Sequence, residues 1–245
     1  MVSVALANGD PHTMITAPVF AQYTTFASVV QTTLASDSVF AFDVQPAGVL
    51  ARIDFGAPSL RQSPLGSTAS LLAMVERDDV FGYSVHGNAG WGQVYVLRAD
   101  GTEPLLRSNA AAHVATPASD GAGIYWTETY GSQDVTAPQS RTELWAAPYT
   151  ADPTQLAATA KRFATLPGTF LPLSSVAFGG RMAMPHMYGA AIGRLSDGHT
   201  LQVGPGQGRS IISVVALTAS ELWSIESDTA NLQHLSLTRI ALGTW

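Results

Sequence analysis

Four residues with acid–base or ligating side chains, Asp43, Glu128, His186 and Glu226, close the same five-residue pattern where it recurs along this 245-residue chain. A ring of carboxylates with one imidazole could hold Ca²⁺ or move protons. Other chemistry is sparse. The absence of cysteine removes disulfides, thiolate metal sites and cysteine nucleophiles together. No two of the six histidines stand two or four residues apart, so no local metal pair exists. A spatial pairing of His86 with His186 is the remaining metal option, and neither a metal nor a cofactor is expected. There is no G-x-S-x-G elbow and no H-E-x-x-H. Gly204-Pro205-Gly206-Gln207-Gly208 has the look of a phosphate loop but leads into a strand, with no helix N-terminus to hold an anion.

The pattern that positions these residues is an aromatic-rich or apolar strand. Its copies begin at Val39, Val80, Ile124, Met182 and Leu222, so 41, 44, 58 and 40 residues separate them. Each follows a short turn, and before that turn runs a strand of small residues: 32–35, 71–75, 113–116, 175–178 and 213–217. A third strand follows at 51–54, 97–101, 144–147, 193–198 and 238–241. A fourth follows in most copies, as at 104–107, 162–166 and 200–203. Repetition on this scale decides architecture before any local motif does.

Four strands per unit with small residues innermost is the blade of a β-propeller, in which each blade covers its neighbour's apolar face. The expected fold is all-β: one domain, 1–245, with about five four-stranded blades, five or six in number. Residues 2–19 read as the last two strands of a blade, and 233–242 as a third strand without its fourth. The expectation is that N- and C-terminal strands close the ring and remove an open edge. The best helical segment is 154–163. Two long insertions, 129–140 and 149–160, leave the third repeat at opposite ends.

Ile124-Tyr125-Trp126-Thr127-Glu128 resembles the YWTD repeat of extracellular six-bladed propellers. There a Tyr-Trp-Thr-Asp strand is followed by a strand with an Arg and an Asp-Gly turn, as in Arg98-Ala99-Asp100-Gly101 and Arg194 to Gly198. Similar units occur in NHL-like bacterial propellers. The resemblance spans about five units in outline, with Glu128 in place of the Asp. It implies the fold and a binding role, and it implies that Asp43, Glu128, His186 and Glu226 tie blade to blade. Arg52, Arg98, Arg194 and Arg239 are the partners expected in those ties.

Loops leaving the recurring strands emerge on one face, where rigid blades can carry variable binding groups. That face would display His86, Asn88, Trp91, Tyr130, Gln133, Asp134, His186, Tyr188, Glu226 and Asp228. Rings beside amides and carboxylates suit a sugar or a peptide. The ligand-binding set is His86, Asn88, Trp91, Tyr130, Asp134, His186 and Tyr188, with no catalytic residue assigned. Function is read as a non-catalytic binding or scaffold module for a protein, peptide or glycan. The alternatives are a propeller hydrolase or lyase with its site at the channel mouth, and a segment of a larger surface protein.

Composition narrows the partners. The chain is 46% hydrophobic and 12% charged, enough to bury a large core. Its basic residues are eleven arginines and the single Lys161, without a cluster, which disfavours a nucleic-acid partner. No stretch reaches the ~18 apolar residues a membrane helix requires. Few lysines and few charges suit an extracytoplasmic or secreted domain whose signal is absent from this chain.

Overall fold

A computed structural model describes the backbone of strands at 2–5, 11–15, 29–34, 38–43, 49–54, 60–64, 71–76, 79–84 and 93–97. It then describes residues 105–245 apart from 132–139, 151, 169–173, 187–188, 232–233 and 244. Side chains are described from Gln93 onward within these ranges, Leu97 and Pro153 excepted.

Six antiparallel sheets follow one another along the chain. The first is a hairpin of β1 (Val2–Ala5) and β2 (Pro11–Ile15). The second holds β3 (Val29–Leu34), β4 (Ser38–Asp43), β5 (Val49–Asp54) and β6 (Leu60–Pro64). The third holds β7 (Leu71–Glu76), β8 (Asp79–Ser84), β9 (Gln93–Leu97) and β10 (Leu105–Ser108). The fourth holds β11 (His113–Ser119), β12 (Gly123–Tyr130), β13 (Arg141–Pro148) and β14 (Lys161–Pro167). The fifth holds β15 (Val176–Phe178), β16 (Arg181–His186), β17 (Gly189–Arg194) and β18 (Thr200–Val203). The sixth has three strands, β19 (Arg209–Leu217), β20 (Glu221–Asp228) and β21 (Leu235–Ala241).

Every copy of the recurring pattern is the second strand of a sheet: β4, β8, β12, β16 and β20. The first strands touch in series, β3 with β7, β7 with β11, β11 with β15 and β15 with β19, which is the radial stacking of propeller blades. Alternation carries that stacking into the side chains. Ile124 and Trp126 of β12 pack towards Val94, Val96 and Leu106 of the third sheet. Tyr125, between them, joins Leu144 and Leu166 against Met182 and Met184 of the fifth sheet. A strand buried on both faces has no polar side to show, and seven of the eight residues of β12 are buried. Ile192, Ile211, Val214 and Leu222 repeat the arrangement between the fifth and sixth sheets. Trp126 is fully buried, as expected of a core residue, whereas Trp145 and Trp223 are half-buried.

Blade spacing depends on small residues. A Cβ on Gly193 of β17 would collide with Leu144 Cδ1 and stand 2.9 Å from Phe163 Cε2 in the preceding sheet. Pro185 lies in β16, where the ladder to β15 ends at Ala183 and no backbone donor is required. Between β13 and β14 a single helix, α1, covers Pro153–Thr159, capped by Asp152, whose side chain accepts from the Thr154 amide at 2.9 Å. The helix expected over 154–163 is therefore shorter: at Lys161 the chain enters β14, where pairing with β13 overrides local helical preference.

Among the described residues β1 and β2 pair only with each other, and no ladder joins them to β21.

Candidate functional site

The chain runs in one direction along each second strand, so Tyr130 at the end of β12 and His186 at the end of β16 emerge on the same face. Both are held by neighbours. The Tyr130 hydroxyl donates to Glu128 Oε2 at 2.9 Å and accepts from Asn109 Nδ2 at 3.0 Å. Burial and the adjoining Glu128 push its ionisation up to about 12. The Arg141 guanidinium lies 3.9 Å over the Tyr130 ring, a cation–π stack at the rim. His186 is buried, and its Nε2–H donates to the Pro167 carbonyl of the preceding sheet at 3.0 Å. His86, Asn88, Trp91, Gln133, Asp134 and Tyr188 lie outside the described residues.

The shared repeat position is structural where it is described. Glu128 is wholly buried and accepts from Arg107 Nε, from Asn109 Nδ2 at 2.9 Å and from Trp126 Nε1 at 3.4 Å. Arg107 and Asn109 belong to β10 and the turn leading out of it, so Glu128 fastens the fourth sheet to the third. His186 does the same between the fifth and fourth sheets. Buried Glu226 pairs within its own sheet, with Arg209 Nη1 at 3.7 Å. Asp228 accepts from the Ala230 amide at 2.8 Å and shapes a turn. The side chain of Asp43 lies outside the described residues.

Two of the arginines expected in these ties, Arg194 and Arg239, form their ion pairs within their own sheets. Arg194 pairs with Asp197 in its own turn at 2.7 and 3.0 Å, and Arg239 faces Glu221 within its own sheet at 3.6 Å. An Asp-Gly turn three residues on offers Arg194 a nearer partner than the next blade does. Arg98 and the side chain of Arg52 lie outside the described residues. Arg107, near the end of a fourth strand and so beside the next sheet, joins blades instead, and Arg181 of the fifth sheet does so through the Ala219 carbonyl in the turn between β19 and β20.

A second carboxylate centre went unread in the sequence. Buried Glu143 accepts from Arg141 Nε at 2.9 Å, Arg162 Nη1 at 3.0 Å and Trp145 Nε1 at 3.2 Å. Burial alone would raise its ionisation, but the two arginines outweigh it and hold it below the usual carboxylate range. Its signal is cross-strand register: Glu143 stands in β13 directly between Glu128 and Thr165, which only the folded sheet reveals.

On the opposite face a cavity of about 690 Å³ opens between the fourth and fifth sheets. Tyr125, Ala146 and Lys161 form one cross-strand row along its wall. Asp120 lies at its edge and accepts from the amides of Ala122, Gly123 and Gly180 and from the Tyr125 hydroxyl, at 2.8 to 3.0 Å. Burial opposes that charge, but the four donors hold Asp120 below its ordinary value.

Among the described residues no group of three or more His, Cys, Asp or Glu side chains is arranged to hold a metal, and no helix is long and apolar enough to cross a membrane. On the innermost strand, Thr116 sits at φ +44° in a bulge of β11. Its buried Oγ1 has no hydrogen-bond partner among the described residues.

No family model and no curated protein matches this sequence. Solved structures do resemble it. A putative TolB from Agrobacterium tumefaciens is similar at TM-score 0.56 and 10% identity, over 87% of this chain and 76% of that one. TolB from Acinetobacter baumannii is similar at TM-score 0.56 and 9% identity, over 96% of this chain and 58% of its own. The β-propeller domain of the trilobed protease from Pyrococcus furiosus, with an open velcro topology, is similar at TM-score 0.54 and 10% identity, over 88% and 69%. At such identity the likeness concerns the fold alone, and the fold is a β-propeller.

Proposed function

We propose that the chain is a non-catalytic binding or scaffold propeller that recognises a protein, peptide or glycan through the face onto which the second strands open. The observation that carries this reading is how the acid–base groups are spent: Glu128, His186 and Glu226 are each buried in a structural bond. What reaches the surface there is the stacked pair of Tyr130 and Arg141, whose ring and guanidinium suit sugar faces or peptide groups. His86, Asn88, Trp91, Asp134 and Tyr188 complete the proposed face, with His186 as its support. An extracytoplasmic setting agrees with the scarcity of charge. The YWTD-like ancestry of the repeat is part of this reading, as is closure of the ring by β1 or β2 along the open edge of β21, where Leu235 and Leu237 are 58% and 61% exposed.

The test is capture of the purified protein on peptide and glycan arrays by wild type and by Tyr130→Ser and Arg141→Ser variants. Loss of a reproducible hit in both variants supports the reading, and retention of every hit refutes it.

One observation favours the alternative, a hydrolase or lyase acting at the channel mouth. Strained backbone collects at active sites, and Thr116 combines a left-handed conformation with a hydroxyl on the innermost strand that has no partner among the described residues. Turnover of a chromogenic ester, glycoside or peptide that Thr116→Gly abolishes would establish that reading.

A further inference from the structure

The cavity on the opposite face has a composition of its own. Its volume of about 690 Å³ falls in the range where pockets engulf small molecules, about 300–1,000 Å³. Ala146 pairs with Tyr125 on one side and Lys161 on the other, so three consecutive strands carry a large ring, a methyl group and an ammonium side by side. The alanine leaves the gap between them. Above it, the last turn of α1 brings Ala158 and Thr159 to the rim, and Leu195 of the fifth sheet, 41% exposed, forms the far lip. The walls are therefore apolar and contributed by two blades and a helix.

Charge at this cavity is one-sided in availability. Asp120 is saturated by its four donors and has little left to offer a ligand. Lys161, the sole lysine of the chain, has no hydrogen-bond or ion-pair partner among the described residues. Two other basic residues near it are occupied: Arg194 by Asp197, and Arg181 by the Ala219 carbonyl at 3.2 Å. An apolar recess with a free ammonium at one edge, and with the charge of Asp120 directed into its own four hydrogen bonds, is complementary to an apolar body whose one anionic end lies at Lys161.

We propose that this cavity is a binding site for a small amphiphilic carboxylate, its chain or ring lying over Ala146 against Tyr125 and its carboxylate at the Lys161 ammonium. The site is separate from the loop face and does not depend on the binding role proposed for it.

Calorimetric titration of the full chain with decanoate, with decanol as the uncharged probe, tests it. Saturable one-to-one binding of decanoate is expected, with decanol about fivefold weaker, the scale of one partly exposed ion pair. Lys161→Gln, a surface change that leaves the fold intact, should remove that preference and leave decanol binding unchanged. Ala146→Phe should fill the gap and abolish binding of both probes. Absence of saturable decanoate binding overturns the proposal, and so does equal affinity of wild type and Lys161→Gln for decanoate.

Discussion

Arg107, near the end of β10, donates through Nε to Oε1 of Glu128 on β12, and so a guanidinium from one blade neutralises a fully buried carboxylate in the next. Asn109 reinforces the same joint from the connecting turn. The bond shows how stacked sheets are held in angular register: apolar faces slide, and a directional charged bond at the rim does not.

Removing one partner should be costly because the other stays buried. Arg107→Met is expected to destabilise the fold by about 2–4 kcal/mol, below the full cost for an enclosed pair because Arg107 is partly exposed. Urea denaturation measures it. In that background a further Glu128→Gln change should cost much less than it does alone, since the two residues act as one unit.

Acid should weaken the protein before its carboxylates titrate. Burial pushes the His186 imidazole below its ordinary 6.5, against the pull of the Pro167 carbonyl and the Gln202 side chain, and burial pushes His113 in the same direction. The unfolded chain then binds protons first. The stability in question is present above the unfolded value and is lost as pH falls below it. Asp120 and Glu143, both held below their ordinary values of 3.8 and 4.5, titrate later. Thermal midpoints should decline between about pH 7 and pH 5, and His186→Gln should flatten the decline.

Thr116 invites the opposite experiment. A β-branched residue at φ +44° directly before Pro117 is strained, by roughly 1–3 kcal/mol. Glycine tolerates that conformation and loses about 1 kcal/mol to chain entropy. Thr116→Gly should therefore be neutral or stabilising by up to about 1 kcal/mol in chemical denaturation, whereas ordinary core truncations cost more.

Most of the framework could be read from the sequence, and the reason is periodicity. Each recurring strand falls on the second strand of a sheet because aromatic and apolar residues there serve two blade interfaces at once, which imposes a pattern strong enough to survive divergence. The joints were harder. Arg194 lies where an inter-blade partner was expected, yet an aspartate three residues away captures it, and local geometry is cheaper to satisfy than a long reach. Arg107 and Glu143 gain their meaning from strand register across sequence separations that no short motif spans. The cavity beneath α1 is invisible in sequence for the same reason: Tyr125, Ala146 and Lys161 become neighbours only through pairing.

Among the described residues the outer edge of β21 pairs with no strand, and the proposed closure by β1 or β2 makes a further prediction. On that proposal, deleting residues 1–15 would expose an unpaired strand bearing Leu235 and Leu237. The truncated chain should self-associate as concentration rises, measurable by light scattering, while the full chain should not.

Two of the acid–base residues at the shared repeat position, Glu128 and His186, hold blade to blade, and the proposed function assigns them no catalytic role. The most direct test of that assignment measures Glu128→Gln and His186→Gln side by side for thermal midpoint and for turnover of chromogenic ester, glycoside and peptide substrates. Midpoints several degrees below wild type, with no turnover by wild type or either variant, are expected. Turnover by wild type that is lost in both variants at an unchanged midpoint would contradict the assignment.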